Sequence, residues 1–179
     1  MADGVSAKRY AQAVFQIAAE QGLFAHMRAD LERISAAAQD ETLAAVMDSP
    51  RVPFDVKEEL ARGQFSDLHP IALNLALLLI SKRRLGLAPE LAREFAALVD
   101  EAQGIAHAEV TTAVPLSEAE QQQVAQRLSA LTGKQIVLRA KVDPDILGGL
   151  IAKIGDQLID GSARTRLVQL RRTLVGQAR

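Results

Sequence analysis

Gly104-Ile105-Ala106-His107-Ala108-Glu109-Val110-Thr111-Thr112-Ala113-Val114-Pro115-Leu116 is where the chain changes its period. From His107 to Ala113 the residues alternate, with Ala108, Val110 and Thr112 on one side and His107, Glu109 and Thr111 on the other. That period of two predicts a strand, and Pro115-Leu116 turns the chain at its end. Everything before Gly104 has a longer period. In residues 89–102, Leu91, Phe95, Leu98, Val99 and Ala102 follow the spacing of one buried helix face.

Working back from that helix, five more are expected, at residues 5–20, 22–39, 41–47, 53–61 and 67–82. Gly22 separates the first two, and Pro53 and Pro89 stand in first turns, where a missing N–H costs nothing. Six short helices with short links predict a bundle. Working forward, Ser117 and Glu120 have capping-box spacing, Val124, Leu128 and Leu131 continue a helix, and Gly133 stops it. Ile136, Leu138, Ala140 and Val142 alternate as a second strand. Residues 150–154 and 157–159 pair as a hairpin across Gly155-Asp156, and a last helix opens at Asp160-Gly161-Ser162. The expected fold is therefore α+β: a six-helix bundle over residues 1–104, then a small α/β domain, β-α-β-β-β-α, over residues 105–179.

Composition narrows the function. Of 179 residues 49% are hydrophobic but only 3% aromatic, which suits thin, closely packed helices. A net charge of −1 gives no field for nucleic acid or an anionic membrane. With no cysteine there is no disulfide and no thiolate chemistry. The start of the chain lacks the basic and apolar regions of a signal peptide, and the apolar run at residues 71–80 is too short to span a bilayer, which takes about 20 residues.

Chemistry is hard to find. His26, His69 and His107 lie far apart without metal-helix spacing, and each reads as a surface or satisfied histidine. Gly133-Lys134 lacks the Ser or Thr and the upstream glycine of a phosphate loop. Gly148-Gly149 reads as a tight bend before a strand. Glu58-Glu59 and Asp100-Glu101 point about 100° apart on a helix and form no acid–base dyad. Lys82-Arg83-Arg84 suits a helix C-terminus, and Arg164, Arg166, Arg171 and Arg172 lie on the last helix without interleaved aromatics. No catalytic residue, cofactor or metal is expected, and no nucleic acid.

The positive signal is surplus apolar surface. On a wheel of the first helix, Ala13, Ile17, Tyr10, Val14, Ala18, Ala11, Phe15 and Ala19 sweep about 240°, where a packed helix needs about 100° or somewhat more. In residues 71–80 only Asn74 is polar. Either both helices are buried, or part of their surface is a groove for an amphipathic partner helix.

Several segments carry a resemblance to a known family. They are Ala7-Lys8-Arg9-Tyr10-Ala11-Gln12-Ala13-Val14-Phe15, Asn74-Leu75, Arg84-Leu85, Pro89-Glu90-Leu91, Phe95 and the run from Val110 to Leu116. The most specific are Val142-Asp143-Pro144-Asp145-Ile146-Leu147-Gly148-Gly149 and Ile154-Gly155-Asp156-Gln157-Leu158-Ile159-Asp160-Gly161-Ser162, with Arg164 and Leu167. In this order they resemble the delta subunit family of bacterial-type ATP synthase, relatives of the mitochondrial oligomycin-sensitivity-conferring protein. Ala88, Ala152 and Ala163 depart from it, each smaller than the family's usual residue.

The resemblance implies a non-catalytic stator subunit, one copy in a large complex. It would be peripheral to the membrane, on the cytoplasmic side of the bacterial plasma membrane, and reach the membrane only through the complex. The helical domain would bind N-terminal helices of α subunits on the catalytic head, and the second domain the b subunits of the stalk. Proton-driven rotation is then coupled to ATP synthesis because the head is held. For the head, the expected groove residues are Ala7, Tyr10, Ala11, Val14, Asn74, Leu75, Leu78 and Leu79; for the stalk, Leu167, Leu170, Arg171 and Leu174. Gly148, Gly149, Asp160 and Gly161 are expected to serve the fold.

Overall fold

The computed structural model describes residues 2–146 and 148–165. The chain divides into two compact units, Met1–Val99 and Asp100–Arg179.

The first unit is built from six α-helices. Helix α1 (Ala2–Gln21) ends at Gly22, whose φ of +67° lets the Leu23 N–H reach back to the Ala18 carbonyl at 2.9 Å. Helix α2 (Phe24–Gln39) is followed at once by α3 (Glu41–Asp48), because the Asp40 carboxylate accepts the N–H groups of Thr42 and Leu43 at 2.9 and 3.2 Å. Helix α4 (Phe54–Gln64) runs past the expected stop at Ala61, and an Arg62–Glu58 pair at 2.7 Å supports its last turn. Its buried Lys57 donates from Nζ to the Ser49 carbonyl at 2.7 Å and so caps the end of α3.

Helix α5 (Pro70–Ser81) starts three residues later than periodicity predicts. The residue before a proline avoids the helical region, and His69 becomes the cap instead, with Nδ1 accepting the Ile71 N–H at 3.4 Å. The Asp30 carboxylate on α2 accepts the His69 N–H at 2.9 Å and pins that start in place. The other end of α5 closes through Arg83, at φ +53°, with Arg83 and Arg84 donating to the carbonyls of Ile80 and Leu79 at 3.0 and 2.8 Å. A 3-10 turn (Leu85–Leu87) leads into α6 (Ala88–Ala102), whose last turn belongs to the second unit.

These helices enclose one core, with Phe65, Phe95, Met27, Ile34, Met47, Leu79, Ile80, Leu85 and Leu91 fully buried. Phe15 stacks on Phe24 at 5.3 Å between ring centroids and meets Phe95 edge-on at 6.5 Å.

In the second unit, β1 (Ile105–Thr112) is followed by α7 (Glu118–Thr132), β2 (Gln135–Val142), β3 (Leu150–Ile154) and β4 (Gln157–Asp160). The sheet order is β2-β1-β3-β4, with β1 and β2 parallel and the other pairs antiparallel. Ser117 forms the expected capping box with Glu120, and Gly133 ends α7 at φ +69°. Ala108, Val110, Leu128, Ala152 and Ile154 are buried between sheet and helix. Residues 163–165 begin a helix; the remainder of the expected last helix lies outside the described residues.

Gly149 shows why the bend before β3 must be glycine. At φ +84°, a Cβ there would lie 2.5 Å from the Gly161 carbonyl oxygen and 2.9 Å from the Ser162 Cα. The Gly161 N–H donates to the Leu150 carbonyl and the Ala163 N–H to the Gly148 carbonyl, so residues 148–150 and 161–163 are laced backbone to backbone.

Candidate partner-binding groove

The apolar surplus of α1 and α5 meets in one place. Tyr10, Ala13, Val14 and Ile17 from α1 and Ile71, Asn74, Leu75 and Leu78 from α5 line an open groove of about 330 Å³. Both sets follow the same offsets, i, i+3, i+4 and i+7, which is one seam of a helix. Val14 and Leu75 form the floor, 4% and 7% exposed, while Ile17 and Leu78 stand at 38% and 41%. A large aliphatic side chain left that open beside an apolar floor is the arrangement that accepts another apolar surface.

Five of the eight expected groove residues line it: Tyr10, Val14, Asn74, Leu75 and Leu78. Ala7, Ala11 and Leu79 do not; they are buried in the helical core, at 0%, 0% and 1% exposure. Ala13, Ile17 and Ile71 line the groove and were not among the expected residues. The matching offsets on the two helices were the signal that would have found them. Leu167, Leu170, Arg171 and Leu174, expected at the stalk, lie outside the described residues.

Among the described residues no group of three or more His, Asp or Glu stands close enough to hold a metal. His69 is spent on its helix cap, His26 is exposed, and His107 meets the buried carboxylate of Asp100 at 2.7 Å between Nε2 and Oδ2. Ser117 and Ser162 cap helices: the Ser117 hydroxyl accepts the Glu120 N–H and the Ser162 hydroxyl that of Thr165. Two carboxylates are shifted by such contacts. Glu120 is held below the ordinary value by hydrogen bonds from the Ser117 hydroxyl and then its N–H; Asp160 likewise by the Ser162 N–H and then Thr165. Among the described residues no helix is long and apolar enough to cross a membrane.

A helical unit with a preformed apolar groove, joined in one chain to a small sheet unit, defines a class of two-part binding proteins. A family model described as the ATP synthase delta (OSCP) subunit matches residues 6–174. A protein from Desulfotalea psychrophila named ATP synthase subunit delta is 36% identical over 99% of both chains. One of the same name from Dehalococcoides mccartyi is 39% identical over 92% of this chain and 91% of its own. A chain in the Toxoplasma gondii mitochondrial ATP synthase hexamer has the same fold, with a TM-score of 0.64 at 23% identity over 94% of this chain and 97% of that one. The chain belongs to the ATP synthase delta (OSCP) subunit family, whose members are non-catalytic peripheral-stalk subunits of F-type ATP synthase.

Proposed function

We propose that the groove between α1 and α5 receives the N-terminal helix of an α subunit of the catalytic head, and that the second unit holds the b subunits of the stalk. Residues 1–104 would then grip the head and residues 105–179 the stalk, on the cytoplasmic side of the bacterial plasma membrane. The observation that carries the first contact is the paired seam of Tyr10, Val14, Ile17, Ile71, Leu75 and Leu78. An amphipathic helix presents anchors at the same offsets, so its apolar face fits between the two seams. Each large side chain fully buried on binding contributes about 1.5–3 kcal/mol before the costs of association and ordering.

The work is mechanical. Torque from the rotor acts on the nucleotide sites only while the head is prevented from following it. Two modest contacts on one chain make a persistent tie, because once one end is engaged the other rebinds at high effective concentration.

Titrating the full chain with a synthetic α-subunit N-terminal peptide tests the head contact. Tyr10→Asp places a charge on the groove wall and should weaken binding by about 30-fold or more, roughly 2 kcal/mol, with an unchanged circular dichroism spectrum. Unchanged affinity in a folded variant would remove the peptide from this groove.

A further inference from the structure

Among its described residues, the second unit has one sheet face covered by α7 and one open. Ala108, Val110, Ala152 and Ile154 point toward the core with Leu128 of α7. The alternate residues form the other face, and the register sets them in rows. Val137 pairs with His107; Arg139, Glu109, Lys153 and Leu158 form the next row; Lys141, Thr111, Ile151 and Asp160 the one after, the Asp160 carboxylate being engaged by the Ser162 N–H and the Thr165 hydroxyl. An open depression of about 610 Å³ lies there, lined by His107, Glu109, Val137, Arg139, Lys153 and Gly155 among others.

Three properties of this face stand out. Arg139, Lys141 and Lys153 make no ion pair among the described residues, although Glu109 lies between Arg139 and Lys153 in the register. Val137 and Leu158 are 46% and 66% exposed, an unusual amount of aliphatic surface for strand residues. The cations flank β1 on both sides, on β2 and β3, two strand spacings or about 10 Å apart, which is the width of one α-helix.

We infer that this open sheet face docks an acidic amphipathic helix of the stalk, laid along β1 with carboxylates toward Arg139, Lys141 and Lys153 and aliphatic side chains on Val137, Ile151 and Leu158. The inference rests on the reading that the second unit holds the stalk, and moves the contact from the last helix to the sheet. Charge selects the occupant. The chain's own residues 166–179 contain Arg166, Arg171, Arg172 and Arg179 and no acid, so they oppose this face. A second copy would bring the same excess of cation, Arg139, Lys141 and Lys153 against Glu109 and Asp160. Exposed ion pairs add little affinity each but steer encounter and fix register, so the apolar anchors hold the helix and the cations choose it.

The test uses the detergent-solubilised ATP synthase complex assembled with variants of this chain. Arg139→Glu with Lys153→Glu should release the b subunits at least tenfold more readily than wild type at low salt, with the difference narrowing as salt is raised, while the head stays bound to this chain. Full retention of the b subunits overturns the inference. Deleting residues 100–179 separates the two ideas: if the b subunits remain on the deletion variant, the stalk reading itself falls. If they leave the deletion variant but stay on the charge-reversal variant, only the sheet-face inference falls. Val137→Cys carrying a photo-crosslinker covers the case in which the double reversal unfolds the unit. Adducts to an acidic b-subunit segment support the inference, and adducts only to residues 166–179 or to a second copy overturn it.

Discussion

The two units are held together by different means. The helical unit depends on side-chain volume: Phe65, Phe95, Met27, Ile34 and Met47 fill a core that six helices enclose. The sheet unit has, among its described residues, a core of mostly small or branched side chains, and at Gly149 the backbone of residues 161–163 comes too close for any side chain. One unit is specified by what fills it and the other by what must be absent. Substitutions of opposite kinds should therefore break them.

The largest expected effect is in the helical unit. Phe95→Ala removes a fully buried ring that touches Phe15 and should lower that unit's stability by about 3–5 kcal/mol. Hydrogen exchange should show protection lost in α1–α6 and retained in β1–β4; equal loss in both would mean the chain unfolds as one.

Gly149→Ala is the converse, adding one methyl group. The clash with the Gly161 carbonyl and the left-handed backbone together should cost the sheet unit about 3 kcal/mol. The same exchange experiment should show the loss in β3 and β4, and a neutral result would deny the close approach.

The smallest effect concerns caps. Ser117→Ala should cost about 1 kcal/mol by leaving the Glu120 N–H unsatisfied. It should also let the Glu120 carboxyl rise toward its ordinary value, visible by NMR titration. The sign follows from the direction of the shift. A carboxyl held low in the folded state stabilises fully above its unfolded value, and that contribution is lost as pH falls through the lowered one. Wild type should therefore lose stability on acidification through this carboxyl, and through Asp160, held low in the same way; the variant should lose less.

Most of the element order was legible because each element carries its own period. The switch at Gly104, the capping box at Ser117 and the hairpin at Gly155 are local facts, and the structure has each of them. What local reading could not supply was the division of an apolar arc between core and surface. Ala7 and Ala11 look as suitable for a groove as Ala13, and only packing sends the first two inward. The open sheet face was missed for a similar reason. Arg139 and Lys153 are distant in sequence and become neighbours of Glu109 only through the order β2-β1-β3.

The groove has a consequence for how a working complex is assembled. Its two walls come from segments about sixty positions apart, so it exists only in chains whose helical unit has already folded. A ligand that binds the folded form alone also stabilises it, by about 2.7 kcal/mol at a hundred times its dissociation constant. Under the docking proposed for this groove, joining is also an inspection: unfolded copies would offer no seat and stay out of the machine, and accepted copies would become harder to unfold.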